Sequence, residues 1–283
     1  MALPVRKHLV LHDVRPSATR IERRAKGDDR VRSLVRGPWP SAGRASRRRS
    51  RARRLARGTL RAVPIEWVTF DCYGTLIDWE RGITDALLPL LPPGTDRRAL
   101  AEWYIAMEAE FEAEGYHLYR DVLDRVGRRV LRSLDAAIPE DKASPLPSSL
   151  ADWRPFPEVP AALRALTDSG RYLAILSNVD RDLLELSIGR IGVRPDLAIT
   201  AEDCGSYKPA PGHWRRFLER AGVSTERTVH VGASQYHDIR PATALGFRTV
   251  FIDRHGETLE TTPTRVLRDL STLPNVIDEL AAG

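Results

Sequence analysis

The segment from Thr69 to Asp78 carries a carboxylate, Asp71, at the C-terminal end of an apolar run, Trp67-Val68-Thr69-Phe70, and then turns through Gly74-Thr75. Ligands and chemistry collect beyond the C-terminal ends of the strands of a parallel sheet. Asp71 is therefore a candidate for chemistry, although a lone aspartate there serves as readily to cap the next loop. Three further segments shift that balance. Leu173 to Asn178 is a short apolar run ending in two small polar residues, Ser177 and Asn178. Tyr207-Lys208-Pro209 supplies a cation, and the run from Val229 to Asp238 ends in a second carboxylate. An ionised carboxylate is a usable nucleophile when something orients it and keeps it charged, and a cation within about 4–6 Å does both. Thr75, Ser177 and the amide of Asn178 are small donors of the kind that hold a carboxylate or an oxyanion. The plainer role for Thr75 and Ser177 is to satisfy loop amides.

Such residues need a sheet edge to bring them together, and the chain supplies one from residue 63 onward. Apolar runs predict strands near 66–71, 172–177, 196–200, 228–232 and 248–252. Val159, Ala162, Leu163 and Leu166 recur at helical spacing and stop at Gly170; Trp214, Phe217, Leu218 and Ala221 do so before Gly222. Strands alternating with helices predict an α/β fold, a Rossmann-like parallel sheet covered by helices. Residues 79–154 break the alternation, with helical patterns around 80–91, 96–114 and 118–137 and then a loop over 143–149. The expected divisions are a basic tail over 1–62, an α/β core from 63–78 and 155–283, and a helical insertion over 79–154.

Charge divides at the same place. The net charge of +6 hides a tail with 19 Lys/Arg against 4 Asp/Glu, whereas residues 63–283 carry a net −9. The like-charge block from Arg47 to Arg54 follows the helix-breaking Gly37-Pro38-Trp39-Pro40. Such a stretch cannot bury enough apolar surface to offset its ordering entropy, so a disordered Arg-rich tail is expected. The favoured reading is a dispensable extension, translated from upstream of the true start. A nucleic-acid or anionic-surface tether and an organelle transit peptide stand beside it. Two cysteines, Cys72 and Cys204, offer no disulfide framework and point to a reducing, cytoplasmic compartment. Cys72 is expected to pack on the strand face opposite Asp71. No apolar run approaches the ~18 residues of a membrane span.

In order and spacing, the four segments resemble the four motifs of the haloacid dehalogenase superfamily, over roughly residues 65–275. The resemblance implies Asp71 as nucleophile, Lys208 as its partner, and Ser177 with the Asn178 backbone beside it. Asp238 is the implied base or water-orienting group. Phosphatases of the superfamily keep a second Asp where this chain has Tyr73, which points to the 2-haloacid dehalogenases. In the implied mechanism Asp71 displaces halide from carbon with inversion, and water then hydrolyses the aspartyl ester. The insertion over 79–154 is the implied helical cap, closing over the sheet edge and excluding water.

The resemblance also bears on metals. Superfamily phosphatases hold Mg²⁺ with an acidic residue after the glycine of the fourth motif, and here Ala233 follows Gly232. A hard cation wants oxygen ligands, so neither metal nor cofactor is expected, and the substrate is a small carboxylate. Several positions depart from the dehalogenase pattern. Tyr104 stands where the cap arginine that receives halide is expected, and Arg97, Arg98 or Arg120 are candidate substitutes. Tyr119 corresponds to a cap aromatic lining the pocket, while Gln235 and His237 replace an asparagine and an aromatic. With Tyr73 and Asn178, these residues are the expected substrate contacts. His237 titrates near neutrality and is a candidate to activate water, or else a solvated loop histidine. The other histidines show no metal-ligand spacing. The alternatives are a Mg²⁺-dependent phosphatase and a non-catalytic relative tethered by its tail; a homodimer stays open.

Overall fold

The computed structural model describes residues 64–136, 138–139 and 142–282, and the readings made on residues 1–62 lie outside them. Apolar runs too short for helices become strands when both faces can be covered. β1 (Trp67–Phe70) is buried at every position. It lies between β2 (Tyr172–Ser177) and β4 (Thr228–Gly232), with β3 (Leu197–Thr200), β5 (Arg248–Ile252) and β6 (Arg265–Leu267) outside them. The order is β3-β2-β1-β4-β5-β6, and every pairing is parallel. Phe70 sits in register with Ile175 and with Val231, so β2 and β4 each run one or two residues past the end of β1. The chain runs outward from β1 to β3, returns to the other side of β1 at β4, and runs outward again. That reversal is a topological switch point, and it opens a crevice beyond the strand ends.

The helices follow their apolar periodicity. They are α1 (Trp79–Leu87), α2 (Arg97–Ala113), α3 (Tyr119–Ser133), α4 (Leu146–Ser149), α5 (Val159–Asp168), α6 (Arg181–Ile191), α7 (Ala201–Cys204), α8 (Gly212–Ala221), α9 (Arg240–Ala244) and α10 (Leu273–Ala282). On one sheet face Trp67, Ala174, Leu176 and Ile199 pack with Trp214 and Phe217 of α8, Ala242 of α9 and Phe247. Helices α1–α4 lie in sequence between β1 and α5. α3 buries Tyr119, Val122, Leu123, Val126, Val130 and Leu131, a stripe at helical spacing. No helix among the described residues is long and apolar enough to cross a membrane.

The expected strands hold to within a residue at either end, and the helices differ in detail. The helix expected over 80–91 stops at Leu87, because Pro89 has no N–H to continue the ladder; a 3₁₀ turn takes its place at Leu88–Leu90. The helix expected to reach 137 ends at Ser133, soon after the last stripe residue, and Asp135 turns the chain with a φ of 56°. Within the expected loop at 143–149, buried Leu146 and Leu150 anchor one helical turn, α4. β6 was not expected: three residues with two of them exposed are too short to show a period.

Candidate active site

Three strand ends and one loop supply the centre of the crevice. Asp71 follows β1, and its amide continues the sheet by donating to Val231 O at 3.0 Å. Its Oδ1 accepts from Lys208 Nζ at 2.8 Å and its Oδ2 from Thr75 Oγ1 at 2.9 Å. Lys208 also donates to Asp238 Oδ1 at 2.7 Å, so one ammonium bridges both carboxylates. Asp238 comes close because Gly232 has no side chain: a Cβ there would lie 2.5 Å from that of Asp238. The turn that carries Thr75 passes through Gly74 at a φ of 92°, a conformation that favours glycine. The amide of Ala233 donates to Thr75 Oγ1 at 2.9 Å, locking that hydroxyl's proton onto Asp71. Asn178 holds the lysine loop with two reciprocal bonds, accepting from Lys208 N at 2.6 Å and donating to its carbonyl at 3.1 Å.

Charge in this cluster is set by burial and by Lys208. Burial pushes the Asp71 carboxyl up to about 6 despite the ammonium beside it. Burial also opposes ionisation of Asp238, but the Lys208 charge, helped by His230 beside it, outweighs burial and holds that carboxyl well below the usual range. Lys208 itself is disfavoured by burial, yet Asp238 and Asp71 raise it above the ordinary lysine value. Above pH 6 the trio carries two negative charges and one positive. Ser177 is fully buried, and its hydroxyl has no partner. Burial and the Lys208 charge push His213 down to about 3, so it is neutral, and its Nε2 donates to Ser177 O at 3.1 Å.

These residues form the floor of a cavity of about 440 Å³ whose opposite wall comes from the helical insertion. Tyr73 lines it with its hydroxyl 2.9 Å from Ser187 Oγ, and Tyr119 lines it with its hydroxyl donated to Glu108 Oε1 at 2.9 Å. Gln235 reaches the cavity, but its amide is engaged elsewhere: it donates to Glu257 and to Thr258 O, and it accepts from Glu260 N at 2.8 Å. His237 lines the cavity, with Nε2 3.7 Å from Glu112 Oε2. Loss of water lowers it below the ordinary histidine value, the Lys208 charge adding to the effect and Asp238 opposing it. That shift favours the neutral imidazole.

Tyr104 is corrected. It is fully buried and lies behind the wall, donating to Glu108 Oε1 at 3.2 Å and packing on Trp79, because its place on α2 faces the insertion's own core. None of the arginines considered as substitutes reaches the cavity. Arg97 pairs with Asp85 at 2.6 Å, Arg98 with Glu102 at 2.9 Å, and Arg120 with Asp180 and Asp182. Asn178 lines the cavity, but its side chain is spent on the Lys208 backbone. Cys72 packs in the core as expected.

A divalent cation does not fit this centre. The space between Asp71 and Asp238 is bridged by Lys208, Ala233 offers only its amide, and Tyr73 turns to Ser187. Three site residues escaped the sequence reading. Glu108 and Glu112 line the cavity from α2, and a like-charge pair at i,i+4 is itself a signal, since it costs a helix stability without a compensating role. Arg254 donates to Gly74 O and Thr75 O at 3.1 and 2.9 Å and pairs with Glu158, clamping the turn that carries Thr75. Nothing local marks it.

A family model described as haloacid dehalogenase-like hydrolase matches residues 65–246. Haloacetate dehalogenase H-2 of Moraxella sp. (strain B) is 28% identical over 202 residues, covering 68% of this chain and 87% of that protein. (S)-2-haloacid dehalogenase H-109 of Pseudomonas putida is 26% identical over 220 residues, 74% of this chain and 96% of its own. Among solved structures, an L-2-haloacid dehalogenase superposes with a TM-score of 0.69 at 24% identity, over 76% of this chain and 99% of its own. That likeness is one of fold.

Proposed function

The chain belongs to the haloacid dehalogenase-like hydrolase family, and we propose that within it the protein hydrolyses a small 2-haloalkanoic acid through an ester to Asp71. One observation carries this reading: Tyr73 and Ala233 stand where a phosphatase keeps carboxylates, and Lys208 is the cation that offsets the Asp71 and Asp238 charges. A phosphate dianion would meet two carboxylates with one compensating cation, whereas a carboxylate substrate brings a single charge. The relatives named as dehalogenases support the same reaction class.

Asp71, ionised above pH 6, attacks the carbon bearing the halogen. Its C–O bond forms as the carbon–halogen bond breaks, and the carbon inverts. Ser177, with its unpartnered buried hydroxyl, and the Asn178 amide receive the substrate carboxylate. Water then adds to the ester carbonyl of Asp71; Lys208 and Thr75, which already donate one to each Asp71 oxygen, hold the developing oxyanion and the ester oxygen between them. Asp238 stays ionised and orients that water. The 2-hydroxy acid leaves carrying an oxygen that came from Asp71. The helical insertion acts as the cap that keeps bulk water away from the ester. No cofactor is used, and the free Cys72 and Cys204 support a reducing, cytoplasmic setting.

The test is a single turnover in heavy-oxygen water on 2-chloropropionate. Label is expected first in Asp71 and only later in product, and Asp71→Asn is expected to abolish halide release. Activity should survive excess EDTA, with p-nitrophenyl phosphate hydrolysis at background with or without Mg²⁺. Label entering product directly would overturn the ester mechanism. Activity lost in EDTA and restored by Mg²⁺ would put a phosphatase in its place.

A further inference from the structure

The cavity wall carries acids that an unsubstituted haloacid does not answer. Glu108 and Glu112, one helical turn apart on α2, both line the cavity. Like charges at this spacing destabilise a helix, and carboxylates drawn out of water are ordinarily held by a cation. No lysine or arginine forms an ion pair with either glutamate among the described residues. Tyr104 from α2 and Tyr119 from α3 donate neutral hydroxyls to Glu108 Oε1. Glu112 Oε2 has His237 Nε2 at 3.7 Å, an imidazole that burial shifts towards its neutral form. The Lys208 charge reaches Glu112, but its ammonium is bonded to Asp71 and Asp238 on the floor.

The other glutamates of the cavity are engaged. Glu80 lies 3.4 Å from His255, Glu257 accepts from the Gln235 amide, and Glu260 pairs with Arg240 at 3.1 Å. The acids without a cation are thus the two on α2. Burial pushes Glu108 up to about 7; burial, with the Glu108 charge, pushes Glu112 up to about 8. Two further observations call for a ligand that spans the cavity. Its volume of about 440 Å³ is in the range that holds drug-sized ligands, so a halopropionate would fill only part of it. On the floor the Ser177 hydroxyl, fully buried and lining the cavity, finds no partner in the protein. A buried donor of this kind is satisfied by an acceptor that the cavity binds. The floor therefore asks for an anion or acceptor, and the wall asks for a cation.

We propose that the substrate is a 2-haloalkanoic acid with an ammonium group at the far end of a short chain, its carboxylate received at Ser177 and its ammonium by Glu108 and Glu112. The inference rests on the ester mechanism proposed above and names the substrate class for it. An ammonium is a compact cation with three donors, enough to serve two carboxylates. Hydrogen bonds between such charged partners are stronger than neutral ones. The chemistry at the halogen-bearing carbon is unchanged: the bond from Asp71 to carbon forms, and the carbon–halogen bond breaks with its electron pair on the halide. The glutamates take no part in that step and act on which acid is bound.

The experiment holds the chain constant and changes the charge at its far end. Calorimetry on the full chain compares 6-aminohexanoate, hexanoate and hexanedioate, none of which can react. Halide release then gives kcat/KM for the matching 6-amino-2-chlorohexanoate, 2-chlorohexanoate and 2-chlorohexanedioate. In both series the amino acid should exceed the neutral-tailed acid by about ten- to 100-fold, the range of a hydrogen bond to a charged group, and the diacid should rank last. A set with four-carbon chains repeats the comparison, and this order in either set meets the expectation. Glu112→Gln should cut the ratio of amino to neutral-tailed acid about tenfold, and Glu112→Asp, which keeps the charge, should retain part of it. Where a variant does not fold, the wild-type order decides. An amino acid no better than its neutral counterpart at either length, a ratio unchanged in Glu112→Gln, or no binding by any of these acids would overturn the inference. Release of halide by the wild type in any of these cases would leave the ester mechanism standing. Binding in the expected order with no halide released from any chloro acid would overturn the ester mechanism, and the substrate class assigned here with it.

Discussion

At the scale of single residues, Lys208 is the group on which the site depends. It is buried, and both of its partners are carboxylates. Removing one partner of a buried ion cluster leaves charge unpaired in a medium that cannot solvate it. Lys208→Met is therefore expected to abolish activity and to cost about 3–5 kcal/mol of stability in denaturant unfolding. Adding Asp238→Asn to that variant should recover part of the stability and none of the activity. If Lys208→Met melted with the wild type, the bridge would not hold the site together. As the proposed nucleophile, Asp71 should set the acid limb of the pH profile. With its carboxyl at about 6, kcat/KM should rise about tenfold per unit up to pH 6 and then level off. A limb that stayed near pH 4 would mean that burial does not act on Asp71 as its position implies.

At the scale of elements, two joints place the groups proposed as catalytic. The end of β4 is one. A methyl group at Gly232 would lie 2.5 Å from the Asp238 Cβ, so Gly232→Ala must displace either the turn or the carboxylate. The expected result is a loss of about 1–3 kcal/mol together with most of the activity. The other joint ties the insertion to the loop after β2. Asp180 accepts from the amides of Tyr119 and Arg120 at 2.7 and 3.0 Å, capping α3 from outside the insertion, and it also pairs with the Arg120 guanidinium. Asp180→Ala should cost about 1–2 kcal/mol and raise KM more than it lowers kcat, because Tyr119 loses its anchor while Asp71 keeps its own. Unchanged KM would show that the cap is held by its apolar packing alone.

At the scale of the whole molecule, stability should follow the buried acids. The carboxyls of Asp71, Glu108 and Glu112 are raised on folding, so the folded chain binds more protons than the unfolded one between their ordinary values and about 6, 7 and 8. Stability therefore falls as pH rises through that window and levels off above it. Asp238 is lowered on folding and acts in the opposite sense: its contribution is present above its ordinary value of 3.8 and is lost as pH falls below it. The melting temperature should peak on the mildly acidic side and decline towards pH 8. Glu112→Gln should flatten the decline, and a decline that persisted in full would mean that other groups cause it. The basic segment 1–62, with its 19 Lys/Arg, is expected to be dispensable: residues 63–283 alone should keep the melting temperature and activity of the full chain. A loss of several degrees would mean that the segment packs on the rest.

How much of this was legible beforehand depends on whether the information was local. Strands at 172–177, 228–232 and 248–252 could be read because short apolar runs between turn residues have few other solutions. Asp71, Thr75, Lys208 and Asp238 could be singled out because each sits in a motif a few residues long, and Tyr73 and Ala233 argued against a metal from their types alone. Their partners could not be read. Lys208 reaches Asp71 across 137 positions of sequence, and its second carboxylate lies 30 positions away on another strand end. Nothing in the run around Tyr104 said that α2 would turn it inward and present Glu108 and Glu112 to the cavity, nor that Arg120 would be claimed by Asp180. Period and composition decide which elements form. Which side chain satisfies which charge is decided by proximity between elements remote in the chain, through burial and Coulomb forces that exist only once the sheet has brought them together.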